Sequence, residues 1–209
     1  MIDVRRETTR HGMNRMSRVP RPVVPSQKTM DNIAAELYRL HQLSGADFIS
    51  QLKIVTARPE FHPLANESAI FTVGGESDED YSNLVNAAQK AVAHGYRVYI
   101  LPTPKGIRMA DFILERKGVY KLFDLKSISG RSSADTRLME SIGQTNHVML
   151  NLLTDYDARQ LAKDIRAYFE ANRNAREVMI MKGNKILSVS RRFVEGKDYV
   201  KMFMKRYLR

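Results

Sequence analysis

Apolar residues recur along this chain with two different periods, and the switches between them outline its elements. Residues 110–116 and 119–127 are rich in β-branched, aromatic and leucine side chains and flank a turn at Lys117–Gly118, which predicts two paired strands. Short apolar runs at 69–73, 96–101 and 147–152 predict three more. A helical period appears at 26–43, where Ile33, Leu37 and Leu40 share a face, and at 46–55 with Phe48, Ile49 and Leu52 inward. From Ser77, Leu84, Val85, Ala88, Ala91 and Val92 form a buried stripe that ends at Gly95. A short helix is predicted at 134–142, capped by Ser132 or Ser133 and ended by Gly143. A longer one at 154–172 has Thr154 as its cap and Asp157 as the capping-box partner. Pro59 and Pro63 mark a loop, 177–181 and 185–190 form a hairpin around Gly183–Asn184, and 197–208 is a final helix.

Through the middle the order is helix, strand, strand, strand, helix, strand. This predicts an α/β fold with a mostly antiparallel or mixed central sheet, followed by a C-terminal hairpin and helix. The organisation expected is a basic extended or disordered arm at 1–28, a helical segment at 29–73 and an α/β domain at 74–209.

Composition changes this picture in four ways. A hydrophobic share of 43% in 209 residues supports a real core. A net charge of +11 and a pI near 9.9 favour an anionic partner, nucleic acid first. The absence of cysteine excludes disulfides, thiol catalysis and cysteine–zinc sites, and none of the five histidines has a metal-ligand spacing. No apolar run reaches membrane-spanning length, and the basic N-terminus has no apolar core behind it, so the chain is expected in the cytoplasm or delivered there by something larger. The arm carries Arg5, Arg6, Arg10, Arg15, Arg18, Arg21 and Lys28 against Asp3 and Glu7, with Pro20, Pro22 and Pro25 behind. It reads equally as a strap on phosphates or on an assembly and as a solvated tail.

The candidate chemistry lies on the two paired strands. Alternation puts Asp124 and Lys126 on one face, and strand pairing brings Asp111 near them. Such charges inside a domain pair with one another or bind something. The loop after them, with Ser129 and Arg131, opens the helix carrying Arg137; it reads either as an ordinary cap or as a phosphate cradle.

An aspartate opening the second core strand and Asp124-Leu125-Lys126 on the third, in that element order, resemble the PD-(D/E)XK nuclease superfamily, with Ala110 where the name-giving proline often stands. A closer resemblance covers about 95–192. Asp111, Asp124–Leu125–Lys126, the serine/glycine loop, Gln144, the apolar strand and the last hairpin look like the C-terminal nuclease domains of contact-dependent inhibition toxins and of some phage and mobile-element proteins. The resemblance implies a nuclease acting on RNA, tRNA foremost, ahead of DNA. It also implies an immunity protein or a phage or mobile-element particle as partner. On that reading Asp111 and Asp124 hold Mg²⁺ or Mn²⁺, Lys126 stabilises the phosphate's growing charge, and Gln144 orients water or phosphate. Glu79 or Asp80, on the preceding helix, is a further carboxylate for the metal or a complement to its helix dipole. Related toxin domains are also grouped with the metal-free barnase/EndoU/colicin/RelE ribonucleases, where His147 would serve as base with Arg131, Arg137 and Lys126 as cations. A third possibility is a non-catalytic, nucleic-acid-binding component of a particle.

Overall fold

The computed structural model describes residues 26–40, 45–74, 78–102, 109–130 and 133–209, with backbone only at Gln27, Asp78 and Glu79. The arm at 1–25, the cap at Ser77, Arg131 and Ser132 lie outside the described residues.

Among the described residues fifteen elements follow one another. They are α1 (Gln27–Leu40), α2 (Gly45–Thr56), β1 (His62–Leu64), β2 (Glu67–Thr72), α3 (Asp78–Ala93), β3 (Arg97–Ile100), β4 (Phe112–Arg116), β5 (Val119–Ile128), α4 (Ala134–Glu140), β6 (His147–Leu152), α5 (Ala158–Ala171), β7 (Glu177–Lys182), β8 (Lys185–Ser190), α6 (Arg191–Val194) and α7 (Tyr199–Tyr207). The eight strands lie in one sheet in chain order. Neighbours pair antiparallel at β1–β2, β3–β4, β4–β5 and β7–β8, and parallel at β2–β3, β5–β6 and β6–β7. The sheet is therefore mixed, as the element order implies, and the core order α3-β3-β4-β5-α4-β6 is the expected one.

Three apolar clusters fill the two sides of this sheet. On one face, Leu84, Val85, Ala88 and Ala91 of α3 pack on Val98, Ile100, Phe112, Phe123, Met149 and Met179. On the other, α1 and α2 cover Tyr99, Ile113 and Leu122, while α4, α5 and α7 cover Ile128, Val148, Leu150 and Ile180. The last two clusters share a face and leave a seam between them. Along β5 that face runs Leu122, Asp124, Lys126, Ile128, so the seam falls on the two charged residues.

Three local readings differ from the sequence expectation. Pro63 sits in β1 rather than in a loop; β1 is the edge of the sheet, where a missing N–H costs no ladder bond, and the register slips between Pro63 and Leu64. The short helix α6 follows directly on the final hairpin, capped by Ser190. Helix α5 is capped by Asp157, not Thr154: the Asp157 carboxylate accepts from Gln160 N–H at 2.7 Å. The chain before it is held away from helix by Tyr156, whose hydroxyl accepts from Ala134 N–H and donates to Asp164. Asp157→Ala should therefore cost about 1 kcal/mol and lower Tm by roughly 2–4 °C, whereas Thr154→Ala should leave Tm unchanged; thermal unfolding of both variants checks the assignment.

Candidate active site

Strand β5 is longer than either neighbour and changes partner half-way. Val119–Phe123 pairs with β4, and Asp124–Ile128 pairs with β6. Asp111, just before β4, still belongs to the ladder: its N–H donates to Phe123 O, and its C=O accepts from Leu101 N–H. Beyond it β4 no longer flanks β5, and a cleft of about 480 Å³ opens along the bared edge. The N-terminal part of α3, with Asp80 and Asn83, forms one wall, and α4 with Arg137, Glu140 and Gln144 forms another.

The carboxyls of Asp111 and Asp124 both face this opening, close enough for the charge of Asp124 to act on Asp111. Asp111 Oδ2 accepts the N–H of Leu125 at 2.6 Å, which ties it to β5 where β4 has ended. Asp124 is only 1% exposed. Lys126 Nζ donates to its Oδ1 at 3.0 Å and lies 2.9 Å from its Oδ2. Beyond that ion pair, buried Oδ2 has no hydrogen bond from the described residues.

Burial, and then the negative charge of Asp124, push the Asp111 carboxyl up to about 7. Burial raises Asp124 as well, opposed by the Lys126 ammonium. A buried and a half-buried carboxyl competing for protons beside one ammonium are short of positive charge, which is the electrostatic condition that favours a cation. The donor set suits Mg²⁺ or Mn²⁺, since Mg²⁺ commonly takes one or two carboxylates and completes its shell with water and phosphate oxygens. No group of three or more acidic, histidine or cysteine side chains that could hold a metal exists among the described residues, so a metal here would have those two carboxylates as its protein ligands.

No known protein family matches the chain, and no curated protein is significantly similar to it. Among solved structures, the CdiA-CT/CdiI toxin and immunity complex from Burkholderia pseudomallei is similar over 55% of this chain and 89% of that chain, with 17% identity and a TM-score of 0.38.

Of the residues singled out in the sequence, the fold gathers Asp111, Asp124, Lys126, Ser129, Arg137 and Gln144 around this one cleft. Ser133 caps α4 by accepting from Thr136 N–H, so the serine loop does serve as a cap, while Ser129 lines the cleft. Gln144 is nearly buried and donates from Nε2 to Glu140 O at 2.9 Å, which fixes its amide at the cleft wall. Arg137 is half-buried and held by Glu140 at 3.0 Å. The backbone of Glu79 lies in the first turn of α3 and its side chain is outside the description; its neighbour Asp80 lines the cleft.

His147 is not brought to the cleft. It pairs with Glu177 one step before Val148, the partner of Asp124, and therefore points to the opposite face of the sheet. There its ring packs 5.4 Å from that of Phe123, and burial lowers its pKa to about 4. Glu140, which faces Asp124 electrostatically, and Ser127, whose buried hydroxyl has no hydrogen bond from the described residues, also line the cleft. Sequence reasoning passed over both. Glu140 has the i,i+3 spacing of an ordinary ion-pair partner for Arg137, and Ser127 closes the strand expected at 119–127.

Proposed function

We propose that this cleft cleaves phosphodiester bonds in nucleic acid, RNA ahead of DNA and tRNA foremost, with a divalent metal bound by Asp111 and Asp124. The observation that supports it most is the half-buried Asp111 carboxyl set beside the buried Asp124 carboxyl at a strand end, with a lysine on the second and an open cleft beside both. A structural ion pair needs one carboxylate for one ammonium; here a second carboxyl is forced against the first, which weakens both unless positive charge arrives.

Asp111 and Asp124 would hold the metal, which supplies charge neutralisation at the phosphate and a lower pKa for a bound water. Lys126 supplies a fixed positive charge where the five-coordinate phosphate gathers negative charge. The Leu125 N–H bond keeps Asp111 aimed at Asp124 in the meantime. Arg137 at the rim draws in the phosphate backbone, and Gln144, held through Glu140 O, orients a phosphate oxygen or water from the wall. The net charge of +11 raises the local concentration of a polyanion around the cleft. With the toxin-domain resemblance of 95–192, this reading extends to a nuclease carried by a larger toxin or particle, with an immunity protein as its inhibitor. No helix among the described residues is long and apolar enough to cross a membrane.

The test is digestion of total tRNA and of plasmid DNA with Mg²⁺, with Mn²⁺ and with EDTA. RNA cleavage that EDTA abolishes, without 2′,3′-cyclic phosphate ends, is the expected result. Cleavage that persists in EDTA and leaves cyclic phosphates would replace the metal by attack of the RNA's own 2′-hydroxyl. Folded protein that cuts neither polymer under any condition would leave a non-catalytic nucleic-acid-binding role.

A further inference from the structure

A second concavity, of about 320 Å³, lies away from the cleft, between the β7–β8 hairpin and the end of α7. Lys182, Lys185, Arg206, Arg209, His94 and Asn184 line it, and no acidic side chain does so among the described residues. Two of its cations are held before any ligand arrives. Lys182 Nζ sits 4.5 Å from the centre of the Tyr207 ring, and the Arg206 guanidinium lies 4.4 Å over Phe193. Tyr199, Phe203 and Tyr207 are buried in the core, so α7 is anchored and the charges it carries stay in place. Asp155, 95% exposed, pairs with Lys182 at 3.2 Å from outside the concavity.

Strand register relates this concavity to the cleft. Ile128 pairs with Leu152, Leu152 with Lys182, and Lys182 with Lys185, a row across one end of the sheet. Ser129 and Leu153, next in chain after the first two, line the cleft. Neighbouring strands lie about 4.8 Å apart, so Lys182 stands about 10 Å from Ile128 and Lys185 about 14 Å. A stacked nucleic-acid strand carries one phosphate per roughly 3.4 Å, so the concavity lies about three to four phosphates along a strand leaving the cleft over Leu153.

We propose that this basic concavity binds the phosphate backbone of the same nucleic-acid strand that the cleft cuts, three to four nucleotides beyond the point where that strand leaves the cleft. The inference rests on the nuclease reading and adds a second, remote contact that sets a minimum substrate length. Asp155 acts as a stand-in for phosphate on Lys182 and is displaced when the strand binds.

The test is fluorescence anisotropy in EDTA with two labelled single-stranded RNAs, one of about twelve nucleotides and one of about three, over a range of salt. Lys185→Gln combined with Arg209→Gln should weaken binding of the longer RNA about tenfold and lower its log–log salt slope by about 1.4, at roughly 0.7 per phosphate contact on a single strand. The short RNA should be unaffected. Asp155→Asn should tighten binding of the longer RNA two- to fivefold (roughly the worth of one exposed ion pair), a gain that misfolding cannot produce. Wild-type protein that cuts RNA while both variants match it in affinity and slope would overturn the concavity and leave the nuclease reading standing. Wild-type protein that binds neither RNA would overturn both.

Discussion

Asp111→Asn and Asp124→Asn should each reduce metal-dependent RNA cleavage by on the order of 1,000-fold, the scale of losing several kcal/mol of electrostatic stabilisation at the reacting phosphate. Asparagine keeps the volume and an oxygen, so the fold stays while one negative charge is removed from a site that has only two carboxylates for a metal among its described residues. Asp124 is the more sensitive position, because its buried Oδ2 has no compensating hydrogen bond from the described residues and Lys126 depends on it for a partner. Lys126→Gln should lower turnover comparably but leave metal binding intact, since the ammonium competes with a metal for Asp124. Single-turnover cleavage of tRNA, together with Mn²⁺ titration followed by thermal shift, separates the two effects. Undiminished cleavage by both aspartate variants would remove the metal mechanism.

The second large effect is on stability, and it depends on pH. Asp111 has a usual carboxylate pKa of 3.8 when unfolded and is pushed up to about 7 in the folded protein, by burial first and by Asp124 second. Between those values the folded state binds more protons than the unfolded state. The stability this group contributes is complete below about pH 4 and is lost as pH rises through about 7. Wild-type protein without metal should therefore lose up to roughly 4 kcal/mol between pH 4 and pH 8 from this group alone, at about 1.4 kcal/mol per pKa unit. Asp111→Asn cannot ionise, so it should flatten that slope and melt above wild type at pH 8. Mg²⁺ should stabilise wild type at pH 8, much less at pH 5, and the variant little at either. Urea denaturation at several pH values, with and without Mg²⁺, reads all of this directly. A wild-type slope equal to that of Asp111→Asn would mean that Asp111 titrates as an ordinary surface carboxylate.

The sequence alone determined what local periodicity and turn chemistry encode. Strands β4 and β5, the helix α3 with its apolar stripe, the β7–β8 hairpin and the order of the core were all legible, because side chains alternate along strands and repeat along helices whatever lies around them. The same alternation placed Asp124 and Lys126 on one face, and the 2.9 Å ion pair follows from it. What the pattern could not reach depends on which strands become neighbours and where pairing stops. Pro63 counted as a loop signal until β1 proved to be the sheet edge. The pattern puts the cap at Thr154 with Asp157 as its capping-box partner, and the bonds of Tyr156 to Ala134 and Asp164 move the cap to Asp157.

Only the tertiary structure decided that His147 turns away from the cleft, because a one-residue step in the parallel register of β5 and β6 moves it to the other face. Only the tertiary structure brought Glu140 and Gln144 of the α4 turn against the aspartates, and lined up Lys182 and Lys185 with the end of the cleft. Such contacts span dozens of residues of sequence and are set by burial of the three apolar clusters, which fixes every side chain's face at once. The partner change of β5 at Asp124 is the clearest case. Each ladder is a local pattern, but the opening between them exists only where one strand ends beside another that continues.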